Sequence, residues 1–96
     1  MAELIKGSFC SSKAGHDAGT IYIVVEDQGG IYVCDGRHRQ LSNPKRKNPI
    51  HLQPINYRDE ALMSRLEAGD IRDEDIKYSI KNYLIHIGKQ DAVKKE

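Results

Sequence analysis

The sequence predicts a mainly β protein with a helical C-terminal part, and three observations support this prediction. Short stretches rich in β-branched and aromatic residues fill the first half, separated by turns that contain glycine or proline. After Pro54 the apolar period changes from about two to about 3.6. The length of 96 residues, with 39% hydrophobic and 30% charged, is typical of one globular domain. We therefore expect a small closed barrel over residues 1–56 and a helical extension over residues 57–96.

The predicted strands are short. They are expected at residues 4–12, 20–26, 31–34, 37–41 and 50–53. The clearest local pattern is a hairpin, because Gly29 and Gly30 form a tight turn between two β-branched stretches. Residues 43–49 are predicted to be a loop, because Pro44 and Pro49 cannot donate to a strand ladder. Such short strands with non-local pairing favour a closed barrel over an open sheet.

Two helices are predicted in the second half. Ala61, Leu62 and Leu66 mark the first helix, which Gly69 ends. The second helix carries its apolar residues on one face: Ile76, Ile80, Tyr83, Leu84 and Ile87. These apolar faces are too large to leave in water, so the helices should pack on the barrel or on each other.

The start of the second helix is rich in acidic residues. Asp73, Glu74 and Asp75 occupy its first turn, where the helix dipole favours negative charge. Asp73 is chemically a better N-cap than Arg72. Residues 90–96 are expected to be a solvated tail.

Composition and motifs argue against several classes of protein. No apolar run approaches the roughly 20 residues that span a bilayer, and residues 1–6 do not resemble a signal peptide. We therefore expect a cytoplasmic protein that does not contact membranes. Cys10 and Cys34 are expected to be reduced core residues, with a redox or metal role as the alternative. The four histidines are scattered and no catalytic or nucleotide-binding motif occurs, so neither enzymatic activity nor a cofactor or metal is expected.

The distribution of charge indicates an anionic partner more clearly than the net charge of +1. Residues 36–51 contain no acidic residue and five basic ones: Arg37, Arg39, Lys45, Arg46 and Lys47. The acidic residues cluster later, between residues 59 and 75. A local basic block on a nearly neutral protein is typical of nucleic-acid binding.

Two segments resemble a known family. The stretch that leads through Gly19 into the alternating apolar residues 21–25 is similar to the KOW motif, and Gly19 matches the key glycine of that motif. Residues 33–48, which contain Asp35, Gly36 and the Pro-Lys-Arg-Lys-Asn run, resemble the archaeal and eukaryotic ribosomal protein L14e group and its small stand-alone bacterial relatives. The resemblance covers residues 4–52 and implies an SH3-like barrel of about five strands. It also implies binding to RNA, usually ribosomal RNA.

The main candidate site is the basic run Lys45, Arg46 and Lys47, followed by Asn48. Three adjacent cations repel one another, and phosphate relieves this repulsion; arginine binds phosphate bidentately and lysine binds it as a point charge. The alternative is a solvated charged loop. In either case a loop between two prolines should be partly ordered.

Two further groups complete the candidate site. Arg37 and Arg39 would share one face of an extended segment and contact phosphate or sugar, or else protect a strand edge from aggregation. Lys13 and His16 flank a turn in which Gly15 and Gly19 let RNA approach the backbone, or in which both glycines only shape the turn. His16 stands where the family more usually has arginine or lysine.

Tyrosines could add stacking contacts with unpaired bases. Tyr22, Tyr32 and Tyr57 are candidates, although on so small a barrel such residues mostly cover the edges of the core. Tyr78 and Tyr83 lie on the second helix, and Tyr83 is assigned to the core. The predicted function is RNA binding by a ribosome-associated or ribosomal-protein-like factor, with ribosomal RNA and ribosomal proteins as partners. The alternative is a protein–protein adaptor, because SH3-like barrels also bind peptides.

Overall fold

The computed structural model describes residues 3–88, so the expected tail at residues 90–96 lies outside the described part of the chain. Five strands precede two helices. Their bounds are β1 Phe9–Ser12, β2 Ile21–Glu26, β3 Ile31–Cys34, β4 Lys45–Lys47, β5 Leu52–Ile55, α1 Glu60–Ala68 and α2 Asp73–His86. One 3-10 turn, Pro49–His51, leads into β5.

The strands form one antiparallel sheet in the order β4-β3-β2-β1-β5. The sheet is strongly curled. Lys47 Nζ on β4 lies 3.1 Å from Ser12 Oγ on β1, although β3 and β2 lie between these two strands in the sheet. The coarse expectation of β strands followed by helices is therefore confirmed, and the strands form a curled five-stranded half-barrel in the open order β4-β3-β2-β1-β5.

The two faces of the sheet bury separate apolar clusters, because side chains alternate along each strand. The concave face holds Cys10, Tyr22, Val24, Val33 and Leu52. The convex face packs Phe9, Ile23, Val25 and Cys34 against Leu62, Leu66, Ile76 and Ile80 of the helices. The expectation that the helices pack on the strands is thus confirmed. The helices and the convex face of the sheet share one core.

The middle of the chain differs from the sequence-based prediction. Residues 45–47, expected in a loop, form β4 at the edge of the sheet and pair with β3, while the two flanking prolines lie outside the strand. Residues 37–41, expected to be a strand, form a turn around Asp35, whose Oδ1 accepts hydrogen bonds from the backbone N of Arg37 and Arg39. The first and last strands are shifted, because β1 begins only at Phe9 and β5 only at Leu52.

The helix ends follow local capping chemistry. Asp59 accepts a hydrogen bond from the backbone N of Leu62 at 3.1 Å and caps α1, which ends at Gly69 as predicted. In α2 the N-cap is Arg72, so the preference for Asp73 was wrong. Asp75 accepts from the backbone N of Arg72 instead, whereas Asp73 Oδ1 accepts from the backbone N of Leu41 at 2.8 Å. Asp73 thereby ties α2 to the segment that follows β3.

Three smaller findings complete the fold. The placement of Ile87 on the buried face of the second helix was wrong, because it is 43% exposed while Ile76 and Ile80 are buried. Cys10 and Cys34 are buried in different clusters, and burial raises the pKa of each thiol to about 12. Neither helix within residues 3–88 combines the length and the apolar character that a bilayer crossing requires.

Candidate nucleic-acid interface

The β1–β2 and β3–β4 connections meet at one end of the sheet, and the β4–β5 connection reaches the same end at His51. In an antiparallel sheet the end of β1 lies beside the starts of β2 and β5, and the end of β3 lies beside the start of β4. The backbone N of Lys13 donates to the carbonyl of His51 at 2.8 Å, which joins two of these segments directly. We call residues 13–20, 35–44 and His51 the basic end.

The basic end presents its cations to solvent. Its basic and imidazole side chains are Lys13, His16, Arg37, Arg39, His38 and His51. Arg39 is half-buried and the other five are exposed. The same segments contain two acidic residues, Asp17 and Asp35.

Asp17 is occupied by internal hydrogen bonds. Its carboxylate accepts from Ser12 Oγ at 2.8 Å, from Tyr22 Oη at 2.7 Å, and from the Nζ atoms of Lys45 and Lys47 at 3.3 Å each. Burial alone would raise the pKa of Asp17, but these hydrogen bonds outweigh burial and hold the pKa well below its ordinary value. Burial and the bond to Asp17 raise the pKa of Tyr22. The negative charge of Asp17 is thus satisfied within the protein.

The basic run is divided between the two faces of β4. Lys45 and Lys47 lie opposite Val33 and Ile31, on the concave face, where they contact Asp17. The side chain of Lys47 is only 10% exposed, so its predicted role as a phosphate contact conflicts with its position. Arg46 points to the opposite face and is exposed, with Nη2 3.4 Å from the carbonyl of Gly29. The three cations do not form one continuous ligand surface, because side chains alternate in a strand.

Asn48 lies next to this strand. Its side chain accepts a hydrogen bond from the backbone N of Ile50 at 3.1 Å and caps the 3-10 turn. The amide therefore orients the connection into β5, at the border of the basic end.

Asp35 shapes the turn that carries Arg37. Its Oδ1 accepts from the backbone N of Arg37 at 2.9 Å and of Arg39 at 2.8 Å. Burial would raise the pKa of Asp35, but these backbone hydrogen bonds outweigh it and lower the pKa. Arg37 projects into solvent, whereas Arg39 Nη1 lies 3.4 Å from the carbonyl of Asn43. The two arginines belong to the same end of the sheet but do not share a strand face.

Two glycines have positions that other residues would not tolerate well. Gly19 has a φ of +90°, a backbone conformation that favours glycine, and its backbone N donates to the carbonyl of Ser12 at 2.8 Å. Gly36 has a φ of +80°, and a Cβ there would lie 2.6 Å from the carbonyl oxygen of Asp73. The turn that carries Arg37 therefore packs directly on the first turn of α2. Gly15 lies in the exposed β1–β2 turn, where its carbonyl accepts from the backbone N of Ala18.

The tyrosines predicted to stack on bases are buried or packed against other core residues. Tyr22 is 3% exposed, so its candidacy for stacking on a base conflicts with its position. Tyr57 packs edge-on against Phe9, with ring centroids 5.0 Å apart, and contacts Tyr83. Tyr32 is half-buried against the convex cluster. The tyrosine that reaches solvent is Tyr78 on α2, with 65% of its surface exposed.

A groove of about 700 Å³ separates the basic end from α2. Its walls are formed by residues 19–21, Asp35, Arg37 and His38 on one side, and by Lys77, Tyr78, Ile80, Lys81 and Leu84 on the other. The sequence analysis did not identify the α2 residues of this groove, because the acidic residues in the first turn of α2 suggested that the helix surface is negatively charged. Lys77 and Lys81 are four residues apart, a spacing that places both on one helix face and would have revealed this cationic strip.

No protein-family model matches the chain, and no curated protein matches it. Within residues 3–88, no group of three or more His, Cys, Asp or Glu side chains is placed to hold a metal ion. The site is therefore described by its geometry: both acids of the basic end accept internal hydrogen bonds, whereas Lys13 and Arg37 are exposed.

Proposed function

We propose that this protein binds RNA through its basic end, as a ribosome-associated or ribosomal-protein-like factor. One observation carries the proposal. Both acids of the basic end, Asp17 and Asp35, are bonded within the protein, whereas Lys13 and Arg37 are exposed. The outward field of this surface is therefore positive even though the net charge of the chain is only +1.

The resemblance to KOW proteins of the L14e group supports RNA as the anion. The curled antiparallel sheet, whose last strand returns beside the first, is compatible with an SH3-like barrel. Gly19, the residue that matches the key glycine of the KOW motif, has a backbone conformation that favours glycine. On this proposal, ribosomal RNA is the expected partner and ribosomal proteins are neighbours in the same assembly.

The basic end is suited to contacts with the RNA backbone. An exposed arginine offers paired N–H donors to a phosphate, and an exposed lysine offers a point charge. Such contacts position a protein on RNA without reading its sequence. Because Lys45 and Lys47 already bind Asp17, we expect about three cations to contact phosphate, and the logarithm of affinity should fall against the logarithm of salt concentration with a slope of roughly −2 to −3.

A salt series of filter-binding titrations with a structured RNA tests the proposal. The variant Lys13→Ala with Arg37→Ala should bind more weakly and flatten the slope by about one to two. The matched control is Lys6→Ala with Arg58→Ala, which removes the same charge from exposed residues that line other clefts. A wild-type slope near zero, or equal weakening by both double variants, would contradict RNA binding by the basic end.

A further inference from the structure

We propose that the groove between the basic end and α2 binds one unpaired RNA nucleotide. In this proposal Tyr78 stacks on the base, and Arg37, Lys77 and Lys81 contact the adjoining phosphates. This inference rests on the proposed RNA binding and adds a preference for unpaired over fully paired RNA.

The groove has a well-defined architecture. A Cβ on Gly36 would lie 2.6 Å from the carbonyl oxygen of Asp73 and 2.8 Å from Lys77 Cγ, so the turn and the helix are in direct contact. A second tie joins the two walls, because the carboxylate of Asp73 accepts from the backbone N of Leu41. The position of Arg37 relative to α2 is therefore set by packing and hydrogen bonding. The volume of about 700 Å³ lies within the usual range of small-ligand sites.

The lining of the groove is cationic. Lys77 and Lys81 follow one another along one face of α2, and Arg37 lies on the facing turn; all three side chains are exposed. The acid among the described lining residues is Asp35, whose Oδ1 already accepts two backbone hydrogen bonds and whose Oδ2 lies 3.5 Å from His38 Nδ1. The groove therefore favours an anion over a neutral ligand.

Tyr78 adds a feature that an anion alone does not require. Tyr78 follows Lys77 on α2, lines the same groove and is 65% exposed, while Ile21, Ile80 and Leu84 supply apolar surface there. An aromatic ring beside cations and apolar side chains suits a nucleotide, which combines a flat base with a charged phosphate. A base within a duplex is already stacked on its neighbours, so an unpaired base is the one that can reach this ring.

Two RNAs with equal numbers of phosphates test the inference: a hairpin with an unpaired loop and a fully paired duplex. We expect the wild-type protein to prefer the hairpin. Tyr78→Ala should weaken hairpin binding roughly 5- to 150-fold and leave duplex binding unchanged, because stacking is confined to an unpaired base. Tyr78→Phe retains the ring and should bind the hairpin as the wild type does.

The charged wall is tested in parallel. Lys77→Ala with Lys81→Ala should weaken hairpin binding more than Lys6→Ala with Arg58→Ala, which removes the same charge elsewhere. Thermal melts of each variant test whether it is folded. We expect every variant to fold, because these side chains are exposed.

The possible outcomes separate the inference from the proposed function. If the wild type binds both RNAs equally and Tyr78→Ala changes neither affinity, the groove inference fails while RNA binding by the basic end stands. If Lys77→Ala with Lys81→Ala weakens hairpin binding no more than the control double variant does, the cationic wall has no specific role and the inference fails. If the wild type binds neither RNA but binds an acidic decapeptide, both the inference and the proposed function are wrong and the adaptor alternative gains support.

Discussion

Lys47 Nζ lies 3.3 Å from each carboxylate oxygen of Asp17, across the concave side of the curled sheet. Lys47 belongs to the edge strand β4, whereas Asp17 belongs to the turn between β1 and β2. The contact therefore links the two sides of the half-barrel that the strand ladder alone leaves apart. Part of the basic run is consequently engaged in contacts within the fold, whereas Arg46 remains exposed.

We expect Asp17→Asn to lower the free energy of unfolding by about 2–3 kcal/mol. The substitution leaves Lys47, whose side chain is 10% exposed, without its counter-charge and weakens the hydrogen bonds from Ser12 and Tyr22. Urea denaturation followed by circular dichroism measures the effect. Glu67→Gln makes the same change of charge at an exposed position on α1 and is the control. Equal stability of the two variants would show that the Asp17 network contributes little.

The carboxylate of Asp17 should also make the free energy of unfolding depend on pH. Because the folded protein lowers the pKa of Asp17 below its ordinary value of about 3.9, the unfolded chain takes up the proton first as the pH falls. The stability that this group contributes is complete above about pH 5. It is lost progressively as the pH falls below about 4 towards the folded-state pKa.

Urea titrations of the wild type and Asp17→Asn between pH 7 and pH 2.5 test this dependence. The difference in unfolding free energy between the two proteins should stay constant above about pH 5 and shrink below about pH 4. A difference that does not change down to pH 2.5 would contradict the assignment. Asp35, whose pKa is also lowered, is present in both proteins and contributes equally to each.

The basic run should separate into a stabilising residue and an exposed one. Lys47→Ala should lower the free energy of unfolding by about 1.5–3 kcal/mol, since it removes hydrogen bonds to the charged carboxylate of Asp17. Arg46→Ala, on the opposite face, should change it by less than about 0.5 kcal/mol. Thermal and urea unfolding of both variants provides the comparison. Equal effects would contradict the alternation of side chains along β4.

The fold was predictable from sequence where local chemistry decides it. The strands β2 and β3 follow from β-branched residues on either side of a glycine turn, and α1 ends at Gly69 as its pattern indicated. The region around β4 was not predictable in this way. β4 pairs with β3, and its Lys47 forms an ion pair with Asp17, which lies 30 residues earlier in the chain. The local pattern of prolines and charges does not predict such long-range contacts.

The candidate site was predictable only in part for the same reason. The exposed positions of Arg37 and Lys13 agree with the sequence analysis, because turn residues are usually solvent-exposed. Lys47 is largely buried instead, because folding brings the carboxylate of Asp17 into contact with it. Conversely, Tyr78, Lys77 and Lys81 join the groove only because Gly36 allows α2 to pack beside the turn. Tertiary packing therefore decides which cations remain exposed.

The conformation of Gly19 predicts a stability effect without a steric clash. Its φ of +90° disfavours any residue with a Cβ, yet a Cβ there would meet no heavy atom within 4 Å. Gly19→Val should therefore lower the free energy of unfolding by about 1–3 kcal/mol through backbone strain alone. Ala18→Val, at the exposed neighbouring position, is the control for introducing a β-branched residue into the turn. A stability of Gly19→Val equal to that of Ala18→Val would contradict the predicted strain.

Gly36→Ala should disturb the contact between the turn and α2. The backbone conformation at Gly36, with a φ of +80°, would be strained in the variant, and the new Cβ would also lie 2.6 Å from the carbonyl oxygen of Asp73. Gly69→Ala is the matched control, because Gly69 has a φ of +74° and a Cβ there would meet no heavy atom within 4 Å. The control should lose about 1–2 kcal/mol of unfolding free energy from backbone strain. Gly36→Ala should lose about 1–3 kcal/mol more than the control, because overpacking adds to that strain.

The contact between Gly36 and α2 also bounds the groove. Gly36→Ala should therefore weaken binding of the loop-containing RNA, whereas Gly69→Ala should not. The comparison is made under conditions where both variants remain folded. Equal stability losses for the two alanine variants would show that the turn and α2 move apart easily, and that the groove is not held in a defined shape.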